Sequence, residues 1–240
     1  MKEHILHLQP LAKGWGPELV LHWAFETFGN SVAISSAFGA EGMVVIDIAN
    51  RLRKPFRIFT LDTDFLFAET YSLMDQIEQR YGITVEKVYS LTSTEEQEQV
   101  YGRELWERDP DLCCNLRKVE PLRRKLCELS AWITSIRRDQ TAARSNAGKI
   151  EWDEKFGLAK INPIVDWSSK QVWQYIREHD VPYNPLHDQG YPSIGCTHCT
   201  RAVRPGEDPR AGRWAGFSKK ECGLHIIQPT ISAAINSASE

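Results

Sequence analysis

The chain has 240 residues, of which 42% are hydrophobic and 25% are charged, and its formal net charge is -3. These values are ordinary for a globular protein, and a nucleic-acid-binding surface would usually raise the charge of the whole domain. No apolar run approaches the ~18 residues of a membrane span, and the first residues lack the pattern of a signal peptide. We therefore expect one cytoplasmic domain with no membrane or nucleic-acid partner.

Hydrophobic patterning predicts alternating helices and strands along most of the chain. In chain order we predict a helix over 17–29, a strand that starts at 31 and runs into a glycine loop, a helix over 40–52, a strand over 56–63, a helix over 68–82, a strand over 84–90, a helix over 119–129, a strand over 131–136 and a helix over 168–180. This alternation is typical of an α/β fold, a doubly wound and mostly parallel sheet.

The domain divides into four parts by composition. We predict an N-terminal extension over about 1–15 and a nucleotide-binding α/β core over 17–180. Prolines and glycines crowd in after Val181 and regular periodicity ends, which predicts a loop-rich segment over 181–225 wrapped on the sheet. Residues 226–240 form a tail.

Two candidate binding segments follow predicted strands. In an open parallel sheet, ligands lie beyond the carboxyl ends of the strands. The segment SSAFGAEG contains Ser35, Ser36 and Gly39 between a strand and a helix, where backbone N–H groups and the helix dipole favour an anion. Asp62 and Thr63 follow the next strand and could hydrogen-bond a ribose or a base. The alternative that Asp62 only caps a turn stays open.

Four of the six cysteines occur in two close pairs. Cys113 and Cys114 are adjacent, and a disulfide between neighbours strains both the peptide bond and the bridge. Cys196 and Cys199 form a CxxC turn, which lets two thiolates converge on one metal centre. Adjacent side chains reach two vertices of one zinc ion with difficulty but can bind different irons of a cluster. An iron–sulfur cluster is therefore favoured, and zinc stays open.

A further cysteine, Cys222, lies beside Lys219 and Lys220 in the segment KKECGLH. Nearby cations favour the thiolate form of a cysteine, which is its nucleophilic form. No other cysteine lies close in sequence to resolve a covalent intermediate, and an idle surface thiol is the alternative. Cys127 fits the apolar spacing of the helix over 119–129, so we expect a buried structural thiol there.

Basic residues outnumber acidic ones in two segments, from Asp111 to Arg144 and from Cys196 to His225. In a chain of negative net charge, such segments indicate a focused anion site. Solvated helix faces are the alternative explanation.

Several motifs together resemble the assimilatory adenosine 5′-phosphosulfate (APS) reductases, the iron–sulfur branch of the 3′-phosphoadenosine 5′-phosphosulfate (PAPS) reductase family. They are SSAFGAEG, LDTDFLFAETY, DLCCNLRKVEPL, WITSIRRDQ, the long stretch from VPYNPLHDQGYPSIGCTHC to GRWAG, and KKECGLH, within about residues 30–226. The pairing of CC with CTHC is the specific part, because the branch confined to the 3′-phosphorylated substrate typically lacks it. The resemblance implies an adenine nucleotide α-hydrolase-like fold.

The resemblance also implies roles for particular residues. Cys113, Cys114, Cys196 and Cys199 would hold one 4Fe-4S cluster. Cys222 would attack the sulfuryl sulfur and carry an S-sulfocysteine, which reduced thioredoxin would resolve. Lys118, Arg210 and Arg213 match positions that contact the sulfate or phosphate oxygens, Arg137 and Arg144 are further candidates, and Ser35, Ser36, Gly39, Asp62 and Thr63 are expected to bind the nucleotide.

Three alternatives stay open, and they differ in substrate or in chemistry. The first is the same reaction on PAPS or on both nucleotides. The second is an ATP-dependent thiolation or amidation enzyme, for which SSAFGAEG is a poor version of the expected pyrophosphate loop. The third is a zinc-stapled binding module, in which Cys222 would have no purpose. The sequence leaves the oligomeric state open as well, a homo-oligomer included.

Overall fold

The computed structural model describes residues 1–225, so the predicted tail at 226–240 lies outside the described residues. Within this range the strands are β1 (Val32–Ser35), β2 (Arg57–Asp62), β3 (Val85–Tyr89), β4 (Ala131–Ile133), β5 (Ile150–Asp153) and β6 (Leu158–Ile161). The helices are α1 (Lys2–Leu11), α2 (Pro17–Phe28), α3 (Ala40–Arg51), α4 (Ala68–Tyr81), α5 (Thr94–Tyr101), α6 (Leu105–Arg108), α7 (Pro110–Cys114), α8 (Glu120–Leu126) and α9 (Ser169–Glu178). None of these helices is long and apolar enough to cross a bilayer.

The six strands form one sheet in the order β3-β2-β1-β4-β6-β5. Every neighbouring pair is parallel except β5 with β6, and Ile34 of β1 pairs with Ile58 on one side and Ile133 on the other. The chain builds outwards from β1 to β3 and then returns to the other side of β1. The switch point of the sheet therefore lies between β1 and β4, where ligands bind in folds of this kind.

Local sequence signals set the ends of the helices. Pro17 begins α2, and Gly29 ends it with a φ of 51° that favours glycine. Ser168 caps α9 through a reciprocal capping box with Gln171. Gly82 ends α4 in the left-handed region. The helices predicted over 17–29, 40–52, 68–82 and 168–180 are thus present, and the predicted fold class is confirmed.

Helix α3 is the most buried helix of the core. Met43, Val44, Val45 and Ile46 are successive residues, and each is 0% exposed. Such a run has no solvent face, because α2 and α9 both pack against α3. This packing holds the N-terminal end of α3 in a fixed place beside the switch point.

Two features of the fold differ from the sequence analysis or add to it. Helix α1 packs against the β5–β6 hairpin with Ile5 fully buried, an arrangement that the sequence did not indicate. The prediction of a buried Cys127 is wrong, because this thiol is exposed. Helix α8 ends one residue before Cys127, and its inward face is formed by Leu122 and Leu126 instead.

Candidate active site

A cleft of about 700 Å³ opens at the switch point of the sheet. Residues at or just after the carboxyl ends of β1, β2 and β4 line it, including Ser35, Thr63 and Ser135. Residues from the loop-rich segment close its other side, including Arg213 and Cys222. The cleft therefore joins the carboxyl edge of the sheet to the C-terminal part of the described chain.

The loop between β1 and α3 forms one wall of the cleft. Ser36 is buried, and its Oγ accepts a hydrogen bond of 3.1 Å from the backbone N of Phe38, a residue in the left-handed region. Helix α3 follows Gly39 and packs close to this loop, since a Cβ at Gly42 would lie 2.5 Å from Ser36 Oγ. The predicted residues Ser35, Ser36 and Gly39 all line the cleft beside the N-terminus of α3.

The two predicted residues after β2 have different surroundings. Thr63 lines the cleft, whereas the buried carboxylate of Asp62 accepts hydrogen bonds from Tyr71 Oη at 2.7 Å and from the backbone N of Asp64 at 3.0 Å. Burial and the bond to Asp62 raise the pKa of Tyr71. Asp62 thus orders the turn after β2, and its contact with a nucleotide stays a prediction.

All four paired cysteines line one small second cavity, which lies next to the cleft. Cys113 and Cys114 end α7, and Cys196 begins the short turn that contains Cys199. Backbone bonds fix this turn, including one of 2.8 Å from the N of Thr197 to the O of Phe65. The two cysteine pairs, which are far apart in sequence, therefore lie around one cavity.

Burial and neighbouring groups shift the pKa values of the cysteines that line this cavity. Burial, followed by the neighbouring thiols, raises the pKa of Cys113 to about 12 and that of Cys199 to about 11. Burial acts in the same direction on Cys196, but the ammonium group of Lys118 and the hydroxyl of Thr63, 3.3 Å from its sulfur, lower its pKa overall. No group of His, Cys, Asp or Glu side chains within residues 1–225 is arranged to hold a single metal ion.

A turn of π-helix over Asn115–Val119 sends two adjacent cations in different directions. Arg117 is buried, and its Nη1 donates to Asp64 Oδ2 at 2.8 Å. Lys118 lines both the cysteine cavity and the cleft. Burial alone would lower the pKa of Lys118, but the thiols of Cys196 and Cys114 raise it instead. Lys118 is therefore the cation shared by the two sites.

Aromatic rings cover the cysteine cavity. The Trp106 and His198 rings stack 4.0 Å apart with an interplanar angle of 12°. Phe65 contacts both rings edge-on, at 5.1 Å and 4.9 Å. We call Phe65, Trp106 and His198 the aromatic cap. Trp106 was not predicted as part of the site, because no local sequence pattern links it to the CxxC turn.

The remaining predicted cations all line the cleft but differ in their partners. Arg137 pairs with Glu41, at 3.1 Å, and with Asp139. Arg144 pairs with Glu221 at 2.7 Å, and Arg210 lies 3.8 Å from the same carboxylate. Among residues 1–225, Lys118 and Arg213 have no carboxylate within ion-pairing distance.

Arg213 is held in place by neutral groups. Its Nη1 lies 3.2 Å from both Ser193 Oγ and the O of Ile194, and its guanidinium lies over the Trp214 ring. The guanidinium passes so close to Gly195 that a Cβ there would lie 2.6 Å from Cζ. Its buried Nε has no hydrogen-bond partner in the described part of the chain. An anion in the cleft would supply one.

Cys222 lines the cleft together with these cations and is partly buried. Three residues later in the chain the ring of His225 stacks on Trp132, 5.5 Å away and nearly parallel. Burial, followed by the charge of Arg144, lowers the pKa of His225 well below its usual range. Neither His225 nor the carboxylate of Glu221 was predicted from the sequence to be functional.

Comparison with known structures first defines the class of fold. FMN adenylyltransferase from Candida glabrata has a TM-score of 0.57 at 13% identity, covering 82% of this chain and 66% of that protein, which is a likeness of fold alone. A PAPS reductase from Candida auris, solved with phosphate, has a TM-score of 0.72 at 37% identity, covering 85% and 98% of the two chains. The protein thus has the doubly wound α/β fold of these nucleotide-dependent enzymes.

Sequence comparison then gives the family. The phosphoadenosine phosphosulfate reductase domain model matches residues 31–202, and the chain belongs to that family. The APS reductase of Halalkalibacterium halodurans is 47% identical, covering 86% of this chain and 90% of its own. A PAPS reductase of Gloeobacter violaceus is 45% identical, covering 91% and 93%. The resemblance stated from the motifs is confirmed.

Proposed function

We propose that the protein is a thioredoxin-dependent APS reductase that converts this nucleotide to sulfite and AMP in sulfate assimilation. One observation carries the proposal: Cys222 lines a cleft at the switch point of the sheet together with several cations, among them Lys118, Arg210 and Arg213. A thiol and cations facing one cleft suit nucleophilic attack on an anionic nucleotide. The names of the relatives from H. halodurans and Bacillus subtilis support the choice of reaction.

In the first step, the Cys222 thiolate attacks the sulfuryl sulfur of the bound nucleotide. A sulfur–sulfur bond forms, the sulfur–oxygen bond to the phosphate breaks, and AMP leaves with the electron pair. Lys118, Arg210 and Arg213 stabilise the negative charge that gathers on the departing phosphate. The enzyme is left with an S-sulfocysteine at Cys222.

In the second step, a thiolate of reduced thioredoxin attacks Cys222 Sγ, and sulfite leaves with the electron pair. The second thiol of thioredoxin then attacks the mixed disulfide and returns Cys222 to its thiolate. Thioredoxin finishes as a disulfide and supplies both electrons. This scheme needs a reductant from outside, because Cys127 is exposed and does not line the cleft, and Cys196, which does line it, is one of the four proposed cluster ligands.

The four cysteines fit a 4Fe-4S cluster better than a zinc ion. They line one cavity beneath the aromatic cap, and the adjacent thiols of Cys113 and Cys114 can bind different irons of a cluster more easily than they can share one zinc ion. We propose that Cys113, Cys114, Cys196 and Cys199 each bind one iron. When bound, the cluster supplies structural support and a fixed charge next to Lys118. The residues of this chain carry the chemistry, since thioredoxin provides the electrons.

The partners of the cations favour APS over PAPS. An additional 3′-phosphate would need an additional free cation, but Arg137 already pairs with Glu41 and Asp139, and Arg144 pairs with Glu221. Lys118 and Arg213, which pair with no carboxylate among residues 1–225, bind the phosphosulfate group in this proposal. Reduction of PAPS is the second candidate, favoured by the likeness to the G. violaceus protein.

Compartment and assembly follow from the same chemistry. None of the six cysteines, which all lie within residues 1–225, forms a disulfide, and this suits the reducing cytoplasm where reduced thioredoxin is available. We propose that the protein acts there on a small-molecule substrate without membrane or nucleic-acid partners. A homo-oligomer is compatible with this function and is not required by it.

The test is a single turnover read by mass spectrometry of the peptide that contains Cys222. Anaerobic enzyme mixed with APS should gain one sulfo group on this peptide, and reduced thioredoxin should remove it as sulfite. Cys222→Ser should form no adduct, whereas Cys127→Ser, a matched control at an exposed thiol, should behave like the wild type. A wild-type enzyme without the adduct, or an adduct in Cys222→Ser, would contradict the proposal.

A further inference from the structure

The segment 219–225, which carries Cys222, is tied to the rest of the domain at several successive residues. The O of Lys220 accepts a hydrogen bond of 3.0 Å from Arg210 Nη2. The O of Gly223 accepts one of 2.6 Å from Lys155 Nζ. These bonds use backbone carbonyls, so they would form with almost any side chain on the segment.

Glu221 adds a buried hydrogen-bonded contact that depends on its own side chain, in addition to the ion pair of Lys219 with Asp111 and the stack of His225 on Trp132. Arg144 donates to both carboxylate oxygens, from Nε to Oε1 at 2.9 Å and from Nη2 to Oε2 at 2.7 Å. Thr141 Oγ1 adds a bond of 2.7 Å to Oε1. The side chains of Arg144 and Glu221 are each only 8% exposed. A buried, bidentate ion pair between arginine and a carboxylate is among the strongest side-chain hydrogen-bonded contacts in proteins.

We propose that Glu221 is a positioning residue that latches the segment 219–225 over the cleft and holds Cys222 against the bound sulfuryl group. The proposal rests on the proposed function and deepens it. Glu221 touches neither the substrate nor the reacting sulfur; it acts through the residue that follows it. Arg144, predicted from the sequence as an anion ligand, serves in this closed arrangement as the fixed half of the latch.

The two chemical steps make opposite demands on this latch. Attack on the sulfuryl sulfur needs Cys222 inside the cleft, among Lys118, Arg210 and Arg213. Attack by thioredoxin needs access to the sulfur of Cys222, which is partly buried while the segment is docked. A latch of intermediate strength therefore speeds the first step and limits the second. Loss of the latch should therefore slow formation of the Cys222 adduct, while sulfite release by thioredoxin stays as fast or becomes faster.

The first measurement is the accessibility of Cys222 without substrate. Anaerobic holoenzyme is pulsed with iodoacetamide, and alkylation of the Cys222 peptide is followed by mass spectrometry. Glu221→Gln keeps the size of the side chain but removes its charge, and should raise the alkylation rate roughly tenfold. Thr141→Val removes one hydrogen bond to the same carboxylate and should give a smaller increase. Equal rates in wild type and both variants would overturn the proposal.

The second measurement separates positioning from a merely structural role. In a single turnover with APS, Glu221→Gln should form the Cys222 adduct roughly tenfold more slowly. Sulfite release from the preformed adduct by thioredoxin should be as fast as in the wild type or faster. A variant that slows both steps equally would contradict the latch, because general loss of structure affects both.

A matched control is available on the same part of the chain. Glu207 pairs with Arg201 at 2.9 Å, with both side chains accessible to solvent. Glu207→Gln should leave alkylation and both steps unchanged. If the wild type forms no adduct with APS, the proposed function fails, whereas the latch is still judged by the alkylation rates alone.

Discussion

Gly195→Ala should damage the binding of the phosphosulfate group without removing any charge from the cleft. The backbone at Gly195 has no positive φ, so alanine is unstrained there. Its methyl group would lie 2.6 Å from Cζ of Arg213 and would force this guanidinium away from its position. Arg213 would lose its hydrogen bonds to Ser193 and Ile194, and its guanidinium would no longer be oriented toward the cleft.

The expected fall in kcat/KM follows from the hydrogen bond that Arg213 would no longer make to the bound anion. A hydrogen bond to a charged partner contributes about 1.5–3 kcal/mol, which corresponds to a roughly 10- to 150-fold fall in kcat/KM. Arg213→Lys, which keeps the charge but loses the planar fork, should give a loss of the same order. The loss should appear in kcat as well as in KM, since the developing charge on the phosphate is what Arg213 stabilises.

The assay is steady-state sulfite release with reduced thioredoxin, with iron content measured on the same samples because Gly195 precedes Cys196. Gly14→Ala is the matched control, since a Cβ at Gly14 meets nothing within 4 Å and the residue lies outside the cleft. Normal kcat/KM in Gly195→Ala at normal iron content would refute the role assigned to Arg213.

Three further predictions test other parts of the molecule. Gly42→Ala should weaken AMP binding measured by calorimetry, because its methyl group would lie 2.5 Å from Ser36 Oγ; unchanged affinity would remove the loop at 35–42 from the nucleotide site. Trp106→Ala should speed the release of iron to a chelator in air by opening the aromatic cap, and an unchanged rate would mean that the cap does not shield the cavity. Asp47→Ala should lower the free energy of unfolding in urea by about 2–3 kcal/mol, since this buried carboxylate accepts hydrogen bonds from Arg51 and two tyrosines; a loss below about 0.5 kcal/mol would contradict that network.

The sheet and the positions of its ligand-facing loops could be predicted because their signals are local. Buried strands followed by small or polar residues mark the carboxyl edge of a parallel sheet, and this rule alone points to Ser35 and Thr63. The β5–β6 hairpin has no such local signal and was not predicted. Its strands have four residues each, and α1 covers part of the hairpin, so no clear alternation appears in the sequence.

The parts of the site that escaped prediction depend on long-range pairing. Arg144 and Glu221 are 77 residues apart, whereas local rules read charge pairs only three or four positions apart on a helix. The stack of Trp106 on His198 likewise joins α6 to the distant CxxC turn. Cys127 was misjudged for a related reason: the helical pattern around it is real, but α8 ends before it and turns its thiol to solvent.

Sulfite release from APS and PAPS, compared side by side with reduced thioredoxin, tests the central claim most directly. Anaerobically purified protein should turn over APS with strong preference, and the same sample should contain about four irons and four acid-labile sulfides per chain. Turnover with PAPS alone would contradict the choice of substrate. Zinc in place of iron would contradict the role assigned to Cys113, Cys114, Cys196 and Cys199.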